Sequence, residues 1–131
     1  MPSPASPSDP LDLLGTGVAT PFRIGTTGPL SESGVPKVLK CVEQVIGTPT
    51  AKLPWRCLFG CRITRLRHMN NRNGLQQLAR VDVANALALW EPRARLTGTA
   101  VAPRSNANRN ILDVTVNVVI SGKVAPVRLD V

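Results

Sequence analysis

The stretch ALALWEPRARL, residues 86–96, holds the point where the chain changes periodicity. Up to Trp90 the apolar residues recur at helical spacing; beyond Arg93 they alternate as in a strand. Pro92 has no backbone N–H and its ring opposes a continuing helix, so the helix is predicted to stop near Trp90. Glu91 and Arg93 are then expected to project at a corner, held at a set separation by one rigid residue. Such a pair suits docking: Arg93 toward a carboxylate or backbone carbonyls of a partner, Glu91 toward a partner's Arg or amides. The plainer alternative is that Pro92 merely ends the helix while both charges face water.

Working back from the corner, Leu75, Leu78, Ala79, Val83, Ala86, Leu87 and Trp90 share one helical face, with Asn73 as the expected cap. Asp82 falls close to that face and calls for a partner. Working forward, RLTGTAVA (95–102) reads as a strand weakened by Gly98, PRSNANRN (103–110) as a polar hairpin loop, and ILDVTVNVVI (111–120) as the best strand of the chain. In the last, Leu112, Val114, Val116, Val118 and Ile120 face one way, Asp113, Thr115 and Asn117 the other. VAPVRLDV (124–131) fits a final edge strand, where Pro126 is tolerated because an edge donor needs no partner.

Upstream, Val35, Val38, Leu39, Val42, Val45 and Ile46 mark a first helix, with Ser31 or Ser33 as cap, Pro36 in the first turn, and Gly47 and Pro49 as the stop. Phe22 and Ile24 flanking Arg23 suggest a short strand, and TTGPLSESG (26–34) a loop. The linker TPTAKLPW is followed by a segment that is either a short strand or one or two helical turns around Ile63 and Leu66. The Pro- and Ser-rich residues 1–13 read as a flexible arm and 14–131 as one domain. Two helices segregated from a mostly antiparallel C-terminal sheet make the fold class α+β.

The composition narrows the chemistry. With 43% hydrophobic but only 3% aromatic residues, the core must be aliphatic. A net charge of +8 points to an acidic partner. MPSPASPSDP has neither a basic nor an apolar signal region, and no segment approaches the roughly 18 apolar residues of a membrane span. A cytosol-like compartment is therefore expected, with Cys41, Cys57 and Cys61 as thiols. Cys57 and Cys61 are spaced unlike a zinc pair, so no metal is assigned. One histidine and scattered carboxylates give little to build an enzyme from, and no cofactor fingerprint is present. Arg62, Arg65, Arg67 and Arg72 form the densest basic cluster. They are a candidate interface patch, and the alternative function is a small basic nucleic-acid-binding protein. The lack of stacking aromatics weighs against nucleic acid.

The order of short stretches adds a resemblance. Ala86-Leu87 through Trp90, then Glu91-Pro92-Arg93, then a strand, resembles the hallmark of the baseplate wedge proteins of contractile phages and their relatives in type VI secretion and extracellular injection systems. LGTGVATPFRIG is similar to that family's opening, GVPKVLKCVEQVIGTP to its first helix, and LFGC to the FG after its linker; together they span residues 14–120. The chain departs from the family at AKLPWRC and in the Arg-rich run after Gly60. The resemblance implies a structural part of the virion tail baseplate, assembled in the bacterial cytoplasm, rather than the lysozyme some members were named for. Its implied partners are the helical bundle of larger wedge proteins, gripped by Glu91, Pro92 and Arg93, the tail sheath on a sheet edge, and the central hub, spike or tube proteins. Membranes are not among them.

Overall fold

The computed structural model describes residues 14–69, 72–106 and 109–131, without the side chains of 72, 105, 106, 109 and 110. The expected arm, residues 1–13, lies outside the described residues. In chain order the elements are β1 Thr16–Val18, β2 Ile24–Gly25, β3 Gly28–Pro29, β4 Ser31–Ser33, α1 Gly34–Gly47, a 3-10 helix Ile63–His68, α2 Arg72–Trp90, and β5 Arg95–Asn106, β6 Arg109–Ile120 and β7 Lys123–Asp130. The α+β class holds.

β5, β6 and β7 form an antiparallel meander with β6 in the middle. Leu112, Val114, Val116, Val118 and Ile120 are all buried, as their alternation requires. Each contributes roughly 1.5–3 kcal/mol of burial, so this single strand is the main apolar floor of the molecule. α2 lies against β5 and α1 against β7. From α1, Val38, Val42, Val45 and Ile46 complete the core; from α2, Leu75, Ala79, Val83, Ala86 and Leu87 do so. Among the described residues no helix is long and apolar enough to cross a membrane.

The register accounts for both edge prolines. Leu112 and Val131 exchange backbone hydrogen bonds at 2.8 Å each. Alternation along the ladder then places the Asn117–Pro126 and Leu112–Pro103 pairs where the outer residue's nitrogen points away from β6. Each edge strand thus carries a proline where no internal donor is lost.

Several expectations need correcting. Residues 103–106 and 109–110 are not loop: β5 and β6 stay paired to Asn106↔Arg109. These end positions carry no apolar alternation, so sequence periodicity could not reveal them. Residues 26–34 are not a plain loop either. β2 pairs with β3 and β1 with β4, building a small double hairpin ahead of α1, and Phe22 falls outside it, exposed. Asn73 is inside α2 rather than its cap. Leu78 lies on the exposed flank of that helix. Ser33 occupies the cap position of α1 without a side-chain bond; at the other end the Thr48 hydroxyl closes the helix by donating to the Gln44 carbonyl at 2.7 Å.

Candidate functional site

The corner after α2 is a β-turn. The Glu91 N–H donates to Leu87 O at 2.9 Å, the last bond of the helix, and the Ala94 N–H donates to Glu91 O at 3.2 Å. Pro92 takes the second position of the turn, which its fixed φ suits. The turn folds the third residue back over the first. Arg93 Nε donates to Glu91 Oε1 at 2.5 Å and Nη2 to Oε2 at 2.8 Å, a two-pronged fit of guanidinium to carboxylate. Nη1 donates to the backbone carbonyl of Leu14, and Cys41 of α1 lies near enough to act on the guanidinium. The hydrogen bond to Glu91 is the main cause that raises the Arg93 pKa above its already high ordinary value.

Glu91 does not project from the corner as expected. It is 3% exposed, with its carboxylate taken up by its own chain. A buried carboxylate needs such a partner, because an unpaired charge there is costly. Arg93 is different: 36% of its side chain stays exposed. The triplet therefore ties Leu14, α1 and the start of β5 together while presenting one flank of a guanidinium. Gly15, next to the gripped carbonyl, has φ +82, a conformation glycine adopts without strain.

The basic cluster is divided. The 3-10 helix, with three residues per turn, puts Ile63 and Leu66 together in the core and Arg62 and Arg65 together on another side. Arg65 is committed to Asp82 of α2, its Nη2 lying 3.1 and 3.2 Å from the two carboxylate oxygens. This supplies the partner Asp82 calls for. Arg62 is exposed, and Arg67 is half-buried with Nε lacking a hydrogen-bond acceptor. The side chain of Arg72 lies outside the described residues.

A groove of about 570 Å³ runs between the linker and the flank of α2, lined by Leu58, Cys57, Arg62, Asn85, Leu89 and Trp90 among others. Its linker wall is fixed at three points. The Trp90 indole donates to Leu58 O at 3.2 Å, Phe59 packs edge-on against Trp90 at 5.1 Å, and the Cys61 N–H donates to Thr48 O at 2.9 Å. Gly60 sits at φ +112 with a would-be Cβ only 2.1 Å from the Thr48 carbonyl oxygen, so no other residue fits. Sequence reading missed this groove. Its one available signal was Leu89, a large apolar residue off the helix's apolar face. Burial raises the Cys61 thiol pKa above its ordinary value, while Cys57 is exposed. Among the described residues no three His, Cys, Asp or Glu are placed to hold a metal ion.

No curated protein matches the chain. Solved structures do. A chain of the anti-feeding prophage baseplate, 20% identical, superposes with a TM-score of 0.71 over 86% of this chain and 90% of that one. A protein of Geobacter sulfurreducens provisionally named a tail lysozyme is 25% identical, with a TM-score of 0.55 over 72% of this chain and 85% of its own. A chain of the post-contraction pyocin R2 baseplate is 24% identical, with a TM-score of 0.51 over 84% and 96%. The profile of the Baseplate wedge protein gp25 family matches residues 32–125, a stretch that takes in both helices, the Glu-Pro-Arg corner and most of the sheet. The chain belongs to the baseplate wedge protein family.

Proposed function

We propose that this protein is a non-catalytic structural wedge in the baseplate of a contractile tail or injection particle. Its corner docks on the helical bundle of the larger wedge proteins, and its sheet starts the sheath. The observation that carries the reading is the family match over residues 32–125, which includes the corner itself. Arg93 makes the contact through its exposed flank. Glu91 holds the guanidinium in orientation from below, and Pro92 sets the turn that brings the two together. An arginine already held by three bonds loses less freedom on meeting a partner than a free one, which favours affinity.

For the sheath, an added strand finds outward-facing N–H groups at Thr99 and Val101 of β5, or at Val124, Arg128 and Asp130 of β7. Pro103 and Pro126 interrupt each row, so augmentation is confined to one end of an edge. Against hydrolysis stands the state of Glu91. A carboxylate buried and doubly bonded to arginine has no path to a sugar.

Arg93→Lys tests the docking. It keeps a cation but loses the planar fork. The variant is expected to remain folded and to drop out of the purified wedge complex. Co-purification at normal yield, with full-length sheaths, would remove the corner from the interface. Clearing of a peptidoglycan gel by the wild-type protein, abolished by Glu91→Gln, would reverse the non-catalytic reading.

A further inference from the structure

The groove beside the corner has no role in the reading above, yet large apolar side chains stand exposed in it and on its linker. Trp55 is 94% exposed, Leu58 74% and Leu89 65%. Three large apolar side chains of one loop, Leu53, Trp55 and Leu58, stand in solvent within six positions of each other, and Leu58 and Leu89 both line the groove. Exposed large apolar side chains gathered on one linker and in the groove beside it mark a place where something docks.

The charges say what docks. Residues 50–69 contain Lys52, Arg56, Arg62, Arg65 and Arg67 and no acid at all. Lys52, Arg56 and Arg62 are exposed. The one carboxylate that lines the groove, Asp82, is neutralised by Arg65 at 3.1 Å. The groove therefore has Leu58 and Leu89 on its walls with Arg62, and the linker that forms one wall carries Lys52 and Arg56 exposed and no acid. A volume of about 570 Å³ suits one or two large side chains of a partner rather than a whole element. We infer that this groove receives an acidic amphipathic helix of a neighbouring baseplate subunit, which seats one or two apolar anchors between Leu58 and Leu89 and turns its carboxylates toward Arg62 and the linker cations. The inference rests on the reading of the chain as a baseplate part, and it adds a second contact distinct from the Arg93 flank. The apolar anchors supply affinity and the charge pairs set orientation and partner choice.

Cys57 provides the probe. Its thiol is exposed and lines the groove, whereas Cys61 is buried and Cys41 half-buried. In the isolated chain Cys57 is expected to react readily with a maleimide. In the purified baseplate its rate should fall by about tenfold or more, as expected when a seated partner occludes the thiol nine-tenths of the time or longer. A thiol-directed photo-cross-linker on Cys57 of the assembled particle should map to an acidic amphipathic helix of another subunit. Leu58→Glu and Leu89→Glu alter exposed side chains, so their circular dichroism should match wild type. Their entry into the baseplate should weaken by about tenfold or more.

Cys57 equally reactive in both states, or full incorporation of both Leu variants, would overturn the inference. So would a cross-link to a second copy of this chain, to its own residues 1–13, or to a basic segment. The two contacts separate cleanly. Failure of Leu89→Glu with normal assembly of Arg93→Lys keeps the groove and removes the corner, and the opposite pattern does the reverse. A chain that never enters a baseplate overturns both.

Discussion

Replacing Arg93 by alanine removes three hydrogen bonds at once, two to the Glu91 carboxylate and one to the Leu14 carbonyl. What remains is a carboxylate with 4% of its side chain exposed and no cation against it. Breaking one side of a fully buried pair costs about 3–5 kcal/mol. Arg93 is itself more than a third exposed, so water can move into the space it leaves, and the cost falls to roughly 2–3 kcal/mol. The Leu14 carbonyl finds water more easily and adds about 0.5–1 kcal/mol. For a domain of this size a loss of that order lowers the melting temperature by about 10 °C.

The double variant Glu91→Met/Arg93→Met removes both charges and should recover most of the loss, because no buried charge is left unpaired and only the Leu14 carbonyl's share stays lost. Urea unfolding of wild type, Glu91→Met, Arg93→Met and the double closes the cycle, with an expected coupling of roughly 2 kcal/mol. Additive single losses, or a double variant as unstable as Arg93→Ala, would refute the argument that the pair is an internal tie.

Three further outcomes follow from other parts of the molecule. Gly60→Ala places a Cβ against the Thr48 carbonyl at a φ only glycine holds without strain; a loss of about 3 kcal/mol or more is expected, read as a collapse of soluble yield or of the urea midpoint. Burial raises the Cys61 pKa above 9.0, so the unfolded chain gives up this proton first as pH rises. The stability that Cys61 contributes is whole below about pH 9 and is lost as pH climbs through the folded value, and Cys61→Ala should flatten the alkaline limb of a melting-versus-pH series. Pro126→Val restores an outward donor on β7, so sedimentation should show more self-association than wild type with an unchanged melting temperature.

What the sequence disclosed and what it hid follow from one physical distinction. β6 and α1 were legible because each buries a single face, and one-faced burial writes its period into the residue types. The 3-10 turn around Ile63 and Leu66 was half legible, since two apolar residues three apart fit more than one element. The ends of β5 and β6 were illegible because their pairing rests on backbone bonds and on surface pairs such as Arg104–Asp113 at 2.7 Å, which leave no periodic trace. The double hairpin of residues 16–33 uses strands of two and three residues, too short to show any period. At the corner, Pro92 gave the helix end correctly but not the side-chain direction. A glutamate is expected in water, and its burial depends on a guanidinium two residues on, which itself grips a carbonyl 79 positions before it. The groove was hidden for a related reason. Its walls are ordinary linker residues until Thr48, Gly60 and Trp90 pull them into register.

The spacing of the triplet follows from this geometry. A carboxylate and a guanidinium two residues apart on a helix point in different directions and do not meet. On an extended strand they share a face, but the chain between them is straight and the guanidinium overshoots. A turn with proline at its second position shortens that path and aims the third side chain back across the first. Only arginine then has a planar fork that matches both carboxylate oxygens at 2.5 and 2.8 Å and still reaches the Leu14 carbonyl with the remaining nitrogen. Lysine offers one point of charge, and aspartate in place of Glu91 falls a methylene short. Glu-Pro-Arg is thus a structural tie first, and any docking by Arg93 is built on that tie. A variant that reads docking must therefore keep a cation against Glu91, as Arg93→Lys does, so that no buried charge is left alone when the fork is lost.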